Sequence, residues 1–255
     1  MIKYRLNPHA HSNHSDGELG IEEIGNIAHD KNTHIFVTDH NNVDAHRDFE
    51  HSMIGAGVEI KDESGIDVLI LGIKDDILTL FDEEIEHRLD PHNPIYGTVN
   101  ISATELTGIA EEMGHTIILP HVGTAEGALM LPENEQEELA RKKVLVEYNG
   151  RIGKGINRLA KRFAQKFKLP TIAGGDSHIS AYDQYTSTYT KIRSKVELTP
   201  IEMLQRVKER RGAGMRISAP GIMESLATGK QILKAGGMKM LQMVAKCKRK
   251  QLFGT

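Results

Sequence analysis

The sequence predicts an α/β protein in which parallel strands close into a barrel. Short apolar runs alternate repeatedly with stretches of helical periodicity, a pattern typical of right-handed βαβ units. Most of these runs end at a histidine or an acidic residue. In a closed barrel the carboxyl ends of the strands share one mouth, whereas an open sheet would spread those residues along an edge. The length of 255 residues also suits a single barrel domain, so we favour the barrel.

The composition is that of an ordinary globular protein, with 39% hydrophobic and 26% charged residues. The formal net charge of -3 argues against a surface that grips long nucleic acid. The single cysteine excludes a disulfide framework. The chain does not begin with the apolar segment of a signal peptide, and no apolar run approaches the roughly 20 residues that span a bilayer. We therefore expect a cytoplasmic protein without a membrane partner.

The first apolar run, over 2–6, leads into a motif rich in histidine. His9 and His11 are separated by one residue, so their side chains point to the same face of a strand. Neutral imidazole suits Zn, Mn or Fe, and Asp16 adds a hard oxygen ligand. This stretch therefore supplies half of a metal site. His14 lies in the same motif, and two interpretations of it have equal weight. Either it faces the substrate or supports the ligands from behind, or it is simply exposed.

The next elements follow in order along the first half of the chain. They are a helix over 20–32, a strand over 34–38 that ends at His40, a strand over 53–58 that ends at Glu59, and a neighbouring strand over 68–72. The acidic segment over 75–90, which carries His87, is predicted to be a helix or a lid. Asp39 either orients His40 through a hydrogen bond or forms a local cap.

The second half repeats the same alternation. Its elements are a helix over 104–113 with Thr104 as N-cap, a strand over 116–120 that ends at His121, a helix over 133–141, a strand over 144–146 that ends at Glu147, a basic helix over 156–168, and a strand over 171–173 that enters Asp176 and His178. From Thr199 the chain is predicted to be helical. The remaining histidines expected at the surface are His29, His46, His51 and His115.

These motifs, taken in order, resemble those of the PHP (polymerase and histidinol phosphatase) superfamily. They are His9-x-His11, Asp16, Thr-Asp-His40, Glu59, Pro-His121 and Asp176-Ser-His178, joined by Glu147-Tyr-Asn149-Gly. The resemblance extends over residues 2–211. It implies a distorted (β/α)7 barrel domain over 1–215 and a helical extension over 216–255. It also implies a cluster of two or three divalent metal ions (Zn, Mn or Fe) that hydrolyses phosphoesters.

Ligand roles are likewise implied by the resemblance. One metal would be held by His9, His11, Glu59 and Asp176, and a second by Asp16, His40 and His178. Glu59 would bridge to a further metal bound by His121, and Glu59, Asp176 and His178 would be catalytic.

The sequence departs from the family pattern after the bridging glutamate. Relatives often carry a histidine in a segment that here reads Leu69-Ile-Leu-Gly72. The third metal would then lack a ligand, borrow His87 or His92, or be absent.

A glycine-rich basic loop after Glu147 is a candidate phosphate site. Backbone amides at a helix N terminus, together with Arg and Lys side chains, favour a phosphate dianion. A loop of solvated charges is the alternative, but the position beside a strand end favours substrate binding. The residues assigned to the substrate are Arg151, Lys154, Asn157 and His14.

The function predicted on this basis is hydrolysis of a small phosphorylated metabolite or nucleotide by a metal-generated hydroxide. A nuclease that trims short oligonucleotide ends, a metal-binding module without turnover and a metal-dependent amidohydrolase are the alternatives. From Ser225 onward the tail is basic and lacks acidic residues. Such a run is usually a solvated helix face, although lipid, nucleic acid or a partner protein would also fit it. Its basic residues are Lys230, Lys234, Lys239, Lys246, Lys248, Arg249 and Lys250.

Overall fold

The computed structural model describes residues 1–180, 184–210 and 213–217. Within them a nine-stranded sheet has the order β7-β6-β5-β4-β3-β2-β1-β8-β9. The strands are β1 (Ile2–Ala10), β2 (His34–Val37), β3 (Ile54–Lys61), β4 (Asp67–Gly72), β5 (Thr116–Leu119), β6 (Leu145–Asn149), β7 (Thr171–Gly174), β8 (Tyr189–Ser194) and β9 (Ala213–Arg216).

Strands β1 to β7 close on themselves to form a distorted barrel. Ala10 at the end of β1 forms a parallel bridge with Ser177, just beyond β7. The backbone amide of His11 donates to the carbonyl of Ser177 at 2.8 Å. Strands β8 and β9 extend the sheet beyond β1 in antiparallel pairing. The barrel predicted from the sequence is therefore confirmed, although β8 and β9 were not predicted.

Strand β4 departs from the parallel arrangement because it runs antiparallel to both β3 and β5. The turn before it is tight: Asp62 Oδ1 accepts from the amides of Ser64 at 2.9 Å and Ile66 at 2.8 Å. Gly65 has φ +85°, which glycine adopts without strain. A parallel return would need a crossover of a dozen or more residues. The chain therefore reverses, and the first residue of β4, Asp67, lies at the mouth of the barrel.

The helices pack around the barrel much as predicted. They are α1 (Ile21–Asp30), α2 (Asp44–Arg47), α3 (Lys74–Leu80), α4 (Ala103–Glu112), α5 (Glu133–Arg141), α6 (Lys154–Phe167), α7 (Gln184–Ser187) and α8 (Pro200–Lys208). A π turn (Phe81–Ile85) and a 3-10 turn (Glu86–Arg88) continue α3. The N-cap of α4 is Ser102, whose hydroxyl accepts from the Glu105 amide, and not Thr104 as predicted.

Three apolar clusters stabilise the barrel, and the smallest packs α1 against β1 and β2. One fills its interior with side chains such as Leu6, Phe36 and Leu69, and α8 adds Met203 and Leu204 to the same cluster. Val207 of α8 lies beside Thr171, where β7 begins, so α8 closes the end of the barrel away from the mouth. Another cluster lies between the outer face of the strands and helices α3 to α6.

Two histidines predicted at the surface are buried instead. His46 is 3% exposed, and its Nε2 lies 2.9 Å from the carbonyl oxygen of Val37. His115 is 5% exposed and packs against Gly72. Both lie where a helix or its end meets the sheet. Their neighbours in the sequence are polar, so the sequence does not reveal this burial. His29 is exposed, as predicted.

The C-terminal predictions fall mostly beyond the described residues. Strand β9 runs across the predicted boundary at 215/216. The predicted helical extension and its basic residues, from 218 onward, lie outside the described part of the chain. Within that part, no helix combines the length and apolar character needed to cross a bilayer.

Candidate metal centre

The predicted metal ligands converge at the mouth of the barrel. The residues form three groups, and within each group the candidate ligand atoms all lie within 4.8 Å of one another. Two of the groups share His11. The groups are His11, Asp16, His40 and His178; His9, His11 and Asp176; and Glu59, Asp67 and His121. Residues far apart in sequence meet here because each lies in or beside the mouth-side end of a strand of one closed barrel.

Glu59 lies at the centre of these groups and is 1% exposed. Its Oε2 lies 3.3 Å from His9 Nε2, 3.2 Å from His11 Nε2 and 3.3 Å from His40 Nδ1. Its Oε1 lies 3.2 Å from His121 Nε2. Burial alone would raise the pKa of this carboxyl, but the surrounding imidazoles outweigh burial and hold its pKa well below the ordinary value. Glu59 is therefore ionised, with its two oxygens directed to different groups.

A carboxylate behind the site sets the orientation of His9. Glu147 Oε1 lies 2.8 Å from His9 Nδ1, and both side chains are buried. Nδ1 lies at hydrogen-bond distance from Glu147, so once Nε2 gives up its proton to a binding metal, its lone pair faces the cluster, as a metal ligand requires. Glu147 Oε2 accepts from the His121 amide and from Asn149 Nδ2, each at 3.0 Å. Sequence reasoning noticed the Glu147–Asn149 segment but assigned Glu147 no role.

The group around Asp16 contains buried donor atoms without ordinary partners. Asp16 Oδ1 lies 3.0 Å from His178 Nε2 and 3.8 Å from both His40 Nε2 and His11 Nδ1. His11 Nδ1 lacks a hydrogen bond to any described residue, and the polar contacts of Asp16 Oδ1 are with imidazoles of this group. Burial, reinforced by the Arg151 guanidinium, lowers the pKa of His178 to about 4, so its imidazole is neutral near pH 7. Buried nitrogen and oxygen atoms that converge on one point without ordinary hydrogen bonds suit the ligands of a divalent cation.

The loop that carries Asp16 is held by Asp39. The Asp39 carboxylate accepts from the Ser12 amide at 2.7 Å and from the hydroxyls of Ser12 and Ser15, each at 2.6 Å. These bonds match neither of the two alternatives left by the sequence, because they join Asp39 to the first motif, 24–27 residues away along the chain. Asp39 positions Asp16 through the loop and not through His40.

Two of the predicted ligands, each just beyond a strand end, have strained backbones. His121 has a backbone φ of +29° and Asp176 one of +49°, values that residues other than glycine rarely adopt. Such conformations cost about 1–3 kcal/mol and persist where surrounding contacts impose them. The Glu147 bond to the His121 amide is one such contact, and Asn149 Nδ2 donates to Asp176 Oδ2 at 3.0 Å as another. Glu147 and Asn149 therefore hold both ligands in place.

Asp67, which the sequence did not single out, lies in the same group as Glu59 and His121. Its Oδ2 lies 3.6 Å from His121 Nε2. His87 and His92 are exposed and belong to none of the three groups, so neither supplies the ligand that the sequence left open. Strand ends in the sequence do not point to Asp67, because in the antiparallel β4 the mouth lies at the strand start. The Ser64-Gly65 turn signal was the clue to that reversal.

The predicted substrate residues occupy different environments. Arg151 Nη1 lies 3.4 Å from Asp176 Oδ1, and 2.8 and 2.9 Å from the two ring nitrogens of His178. The side chain of Asn157 makes two hydrogen bonds to the backbone of Asn149. Its Oδ1 accepts from the Asn149 amide at 2.9 Å, and its Nδ2 donates to the Asn149 carbonyl at 2.8 Å. Its contacts hold the loop and do not face the cluster. Lys154 is exposed at the start of α6, and His14 is exposed outside the three groups. Arg151 alone among these four contacts the cluster.

An aromatic residue that the sequence did not single out borders the mouth. The ring of Tyr96 lies 6.0 Å, centroid to centroid, from that of His40. Its hydroxyl lies 3.5 Å from the carbonyl oxygen of Ser15, and Asn41 Nδ2 donates to the neighbouring Gly97 carbonyl at 2.8 Å. The loop around Tyr96 therefore forms one wall of the entrance.

Comparison with known proteins places this architecture. A two-domain protein from Bacteroides vulgatus, with a predicted PHP-like metal-dependent phosphoesterase, superposes with a TM-score of 0.56 and 13% identity, covering 91% of this chain and 70% of that chain. A family model described as PHP-associated matches residues 155–182. The chain has the PHP fold. The resemblance inferred from the sequence motifs is thus confirmed.

Other solved structures share the PHP fold of this chain. PsfC from Pseudomonas syringae has a TM-score of 0.63 and 13% identity over 92% of this chain and 98% of that chain. The lesion-specific endonuclease Q from Pyrococcus furiosus has a TM-score of 0.67 and 14% identity over 84% of this chain. This chain spans 58% of that endonuclease. A similar structure shows an endonuclease Q in complex with a 27-mer duplex substrate that has an abasic lesion at the active site. No curated protein matches the sequence. At these identities the similarity establishes the fold, not the reaction.

Proposed function

We propose that this protein is a metal-dependent phosphoesterase that hydrolyses a small phosphorylated metabolite or nucleotide. The observation that carries the proposal is the position of Glu59, whose two oxygens face separate groups of buried imidazoles and carboxylates at one mouth. A site of this kind suits adjacent divalent ions, which in other enzymes clamp the attacking and leaving oxygens of phosphoryl transfer.

The residues that would hold two metals follow from this arrangement. His9, His11, Glu59 and Asp176 would hold one ion, and Asp16, His40 and His178 the other. When bound, such ions activate water and neutralise charge on the phosphate oxygens. The catalytic roles of Glu59, Asp176 and His178 are therefore to bind and space the ions. His178 is neutral near pH 7, so it serves as a ligand and not as a proton donor.

The chain's own contribution to phosphate recognition would be Arg151. Its guanidinium already lies against Asp176 and His178, beside the metal ligands. A guanidinium can bind two phosphate oxygens at once, whereas an ammonium acts as a point charge. Arg151 would orient the phosphate, while Lys154 and His14 remain at the rim and Asn157 supports the loop.

A nuclease is the second candidate, favoured by the similarity to endonuclease Q. The Tyr96 ring at the mouth also provides a surface on which an unstacked base could lie. The net charge of -3 opposes a long nucleic-acid partner, so short oligonucleotide ends would be the substrate of this alternative. A module without turnover accords poorly with so complete a ligand set, and an amidohydrolase would not turn over phosphomonoesters.

The test is an activity screen over sugar phosphates, nucleotides and short oligonucleotides, including a duplex with an abasic site, using the full chain refilled with Mn, Zn or Fe. We expect turnover of a small phosphomonoester that chelation abolishes and metal restores. Cleavage of oligonucleotides alone would select the nuclease. Absence of any phosphoester turnover by protein that demonstrably holds metal would overturn both.

A further inference from the structure

We propose that the exposed side of α6 binds the phosphate backbone of a short single-stranded oligonucleotide whose end lies at the mouth. Four residues make up this surface, which we call the basic face: Arg158, Lys161, Arg162 and Lys168. The proposal rests on the metal cluster of the proposed function and deepens its second candidate, but its test measures binding and not turnover.

Positive charge is concentrated in one stretch of an otherwise acidic chain. Residues 151–168 contain seven lysines and arginines and no acidic residue. Without that stretch, the formal net charge of -3 would be -10. Salt screens charges that lie more than about 8 Å away, so a bound polyanion responds to the surface that it touches and not to the overall charge. The net charge therefore conceals a local surface suited to an anionic partner.

The basic face runs along the side of the barrel from the mouth. Arg158, Lys161 and Arg162 follow the spacing of three and four residues that places side chains on one face of a helix, and all three are exposed. Helix α6 starts just beyond β6, at the mouth, and ends shortly before the start of β7. Cations one turn apart are separated by about 6 Å along its axis. At the mouth this series of charges adjoins Arg151, which lies against the metal ligands.

The charges of the basic face are not neutralised by nearby carboxylates. Within the described residues, Arg158, Lys161 and Arg162 form no ion pair, whereas the neighbouring Lys166 is paired with Glu133 of α5. Like charges three and four residues apart oppose helix formation. Cations that are kept together despite this repulsion, and without counter-charges, suit a polyanionic partner.

A chain of phosphates fits this surface better than a lipid bilayer does. Helices that bind membranes insert an apolar face between the lipids. In α6 the apolar residues Ala160, Phe163 and Ala164 are already buried against the barrel, so no apolar face is free to insert. The mouth end of the surface lies beside the guanidinium of Arg151, to which the proposed function assigns a phosphate. A ligand held by both would carry linked phosphates.

A cavity at the far end of the basic face adds an aromatic ring to the charges. It has a volume of about 490 Å³, and Lys161, Lys168, Arg210 and Tyr148 are among the residues that line it. No acidic residue of the described chain contributes to this lining. Cations that hold the backbone, together with a ring on which a base stacks, are the combination that binds single-stranded nucleic acid. An acidic peptide would engage only the charges.

The experiment compares the full metal-loaded chain with a triple variant in which Arg158, Lys161 and Arg162 are each replaced by glutamine. Glutamine removes the charge and keeps a high helix propensity. The probe is a fluorescent single strand of about 12 nucleotides, within the length that such surfaces bind. Its phosphorothioate backbone keeps the negative charges and resists cleavage. Binding is measured by fluorescence anisotropy over a series of salt concentrations.

A second triple variant is the matched control. It removes the same charge from three exposed positions on or beside β1 and β8, by Lys3→Gln, Arg193→Gln and Lys195→Gln. Circular dichroism and metal content, which should equal those of the wild type, verify the folding of both triple variants.

We expect the affinity of the wild type for the strand to fall as salt rises. Loss of three phosphate contacts should reduce the slope of log affinity against log salt by about two and weaken binding about tenfold or more at low salt. Each single glutamine variant should reduce the slope by about 0.7, and the control should keep the wild-type slope.

The outcomes separate this proposal from the proposed function. A wild type that does not bind the strand, or a triple variant of the basic face that binds it as the control does, would overturn the proposal. Equal binding of an uncharged methylphosphonate strand would also overturn it. So would equally tight binding, through the same residues, of an acidic peptide or of phosphatidylserine vesicles. A metal-loaded wild type that hydrolyses no phosphoester but binds the strand through the basic face would refute the function and leave this inference intact.

Discussion

Glu147 holds the imidazole of His9 through a buried bond of 2.8 Å between Oε1 and Nδ1. Burial disfavours the imidazolium, yet the carboxylates of Glu147 and Glu59 raise the pKa of His9 well above its ordinary value. The same carboxylate accepts from the His121 amide. One side chain behind the ligands therefore orients two strand ends at once.

Replacing Glu147 should weaken metal binding without removing a ligand. We expect Glu147→Gln to reduce metal affinity about 10–100-fold, because it loses the negative charge that fixes the His9 tautomer. Affinity would be measured by chelator competition. Glu138→Gln, which changes an exposed glutamate on α5, is the matched control. Equal affinities in the two variants would mean that Glu147 does not support the ligands.

Glu59→Gln should abolish hydrolysis while leaving the fold largely intact. The amide keeps the shape of the side chain but lacks the charge and one of the two acceptor oxygens that face separate groups. We expect fewer bound metal equivalents by elemental analysis and an unchanged far-ultraviolet dichroism spectrum. Turnover near the wild-type rate would show that the bridging role is misassigned.

Arg151→Ala should lower kcat/KM about ten- to a hundredfold, since a charge-assisted hydrogen bond is worth about 1.5–3 kcal/mol. Metal content should not change, because Arg151 is not a ligand. The sequence predicted that Arg151 and Lys154 act together, but the structure brings only Arg151 of this pair to the cluster. Lys154→Ala is therefore the control, with kcat/KM within about twofold of wild type. A similarly small effect of Arg151→Ala would show that the loop is solvated surface without a role in substrate binding. His14 would then be the next residue to test.

Stability should depend on pH through His46. Burial lowers the pKa of His46 below the ordinary 6.5, despite the bond to Val37 that favours the charged form. As pH falls, the unfolded chain therefore binds a proton at this residue before the folded protein does. The contribution of His46 to the free energy of unfolding is complete above pH 6.5 and declines below it.

His46→Gln should accordingly flatten the loss of unfolding free energy between about pH 7.5 and 5.5. Urea denaturation in chelator, at constant ionic strength, measures that slope. Ligand histidines also titrate in chelator, so the informative quantity is the difference between variant and wild type. His29→Gln, at a side chain 75% exposed, should retain the wild-type slope. Equal slopes for His46→Gln and the wild type would contradict the assignment.

Local patterns in the sequence were sufficient to predict most of the candidate ligands. His9, His11, His40 and Glu59 each lie at or shortly after the end of an apolar run, and this pattern is visible without any tertiary information. The bounds of α5 were likewise predicted, since acidic and apolar residues there follow helical periodicity. Convergence at one mouth then followed from barrel closure, which brings strand ends together whatever their separation in sequence.

The sequence alone therefore determined the barrel and the histidine- and carboxylate-rich mouth at which its candidate ligands meet. Only the tertiary structure decided that Asp67 joins them, that Glu147 holds His9, that Arg151 and not Lys154 contacts the cluster, and that His46 is buried. Hydrophobic periodicity reports which face of a strand is apolar, but it contains no information on strand direction or on distances through space. The reversal of β4 depended on one tight turn, and that turn placed a carboxylate where the sequence suggested a gap.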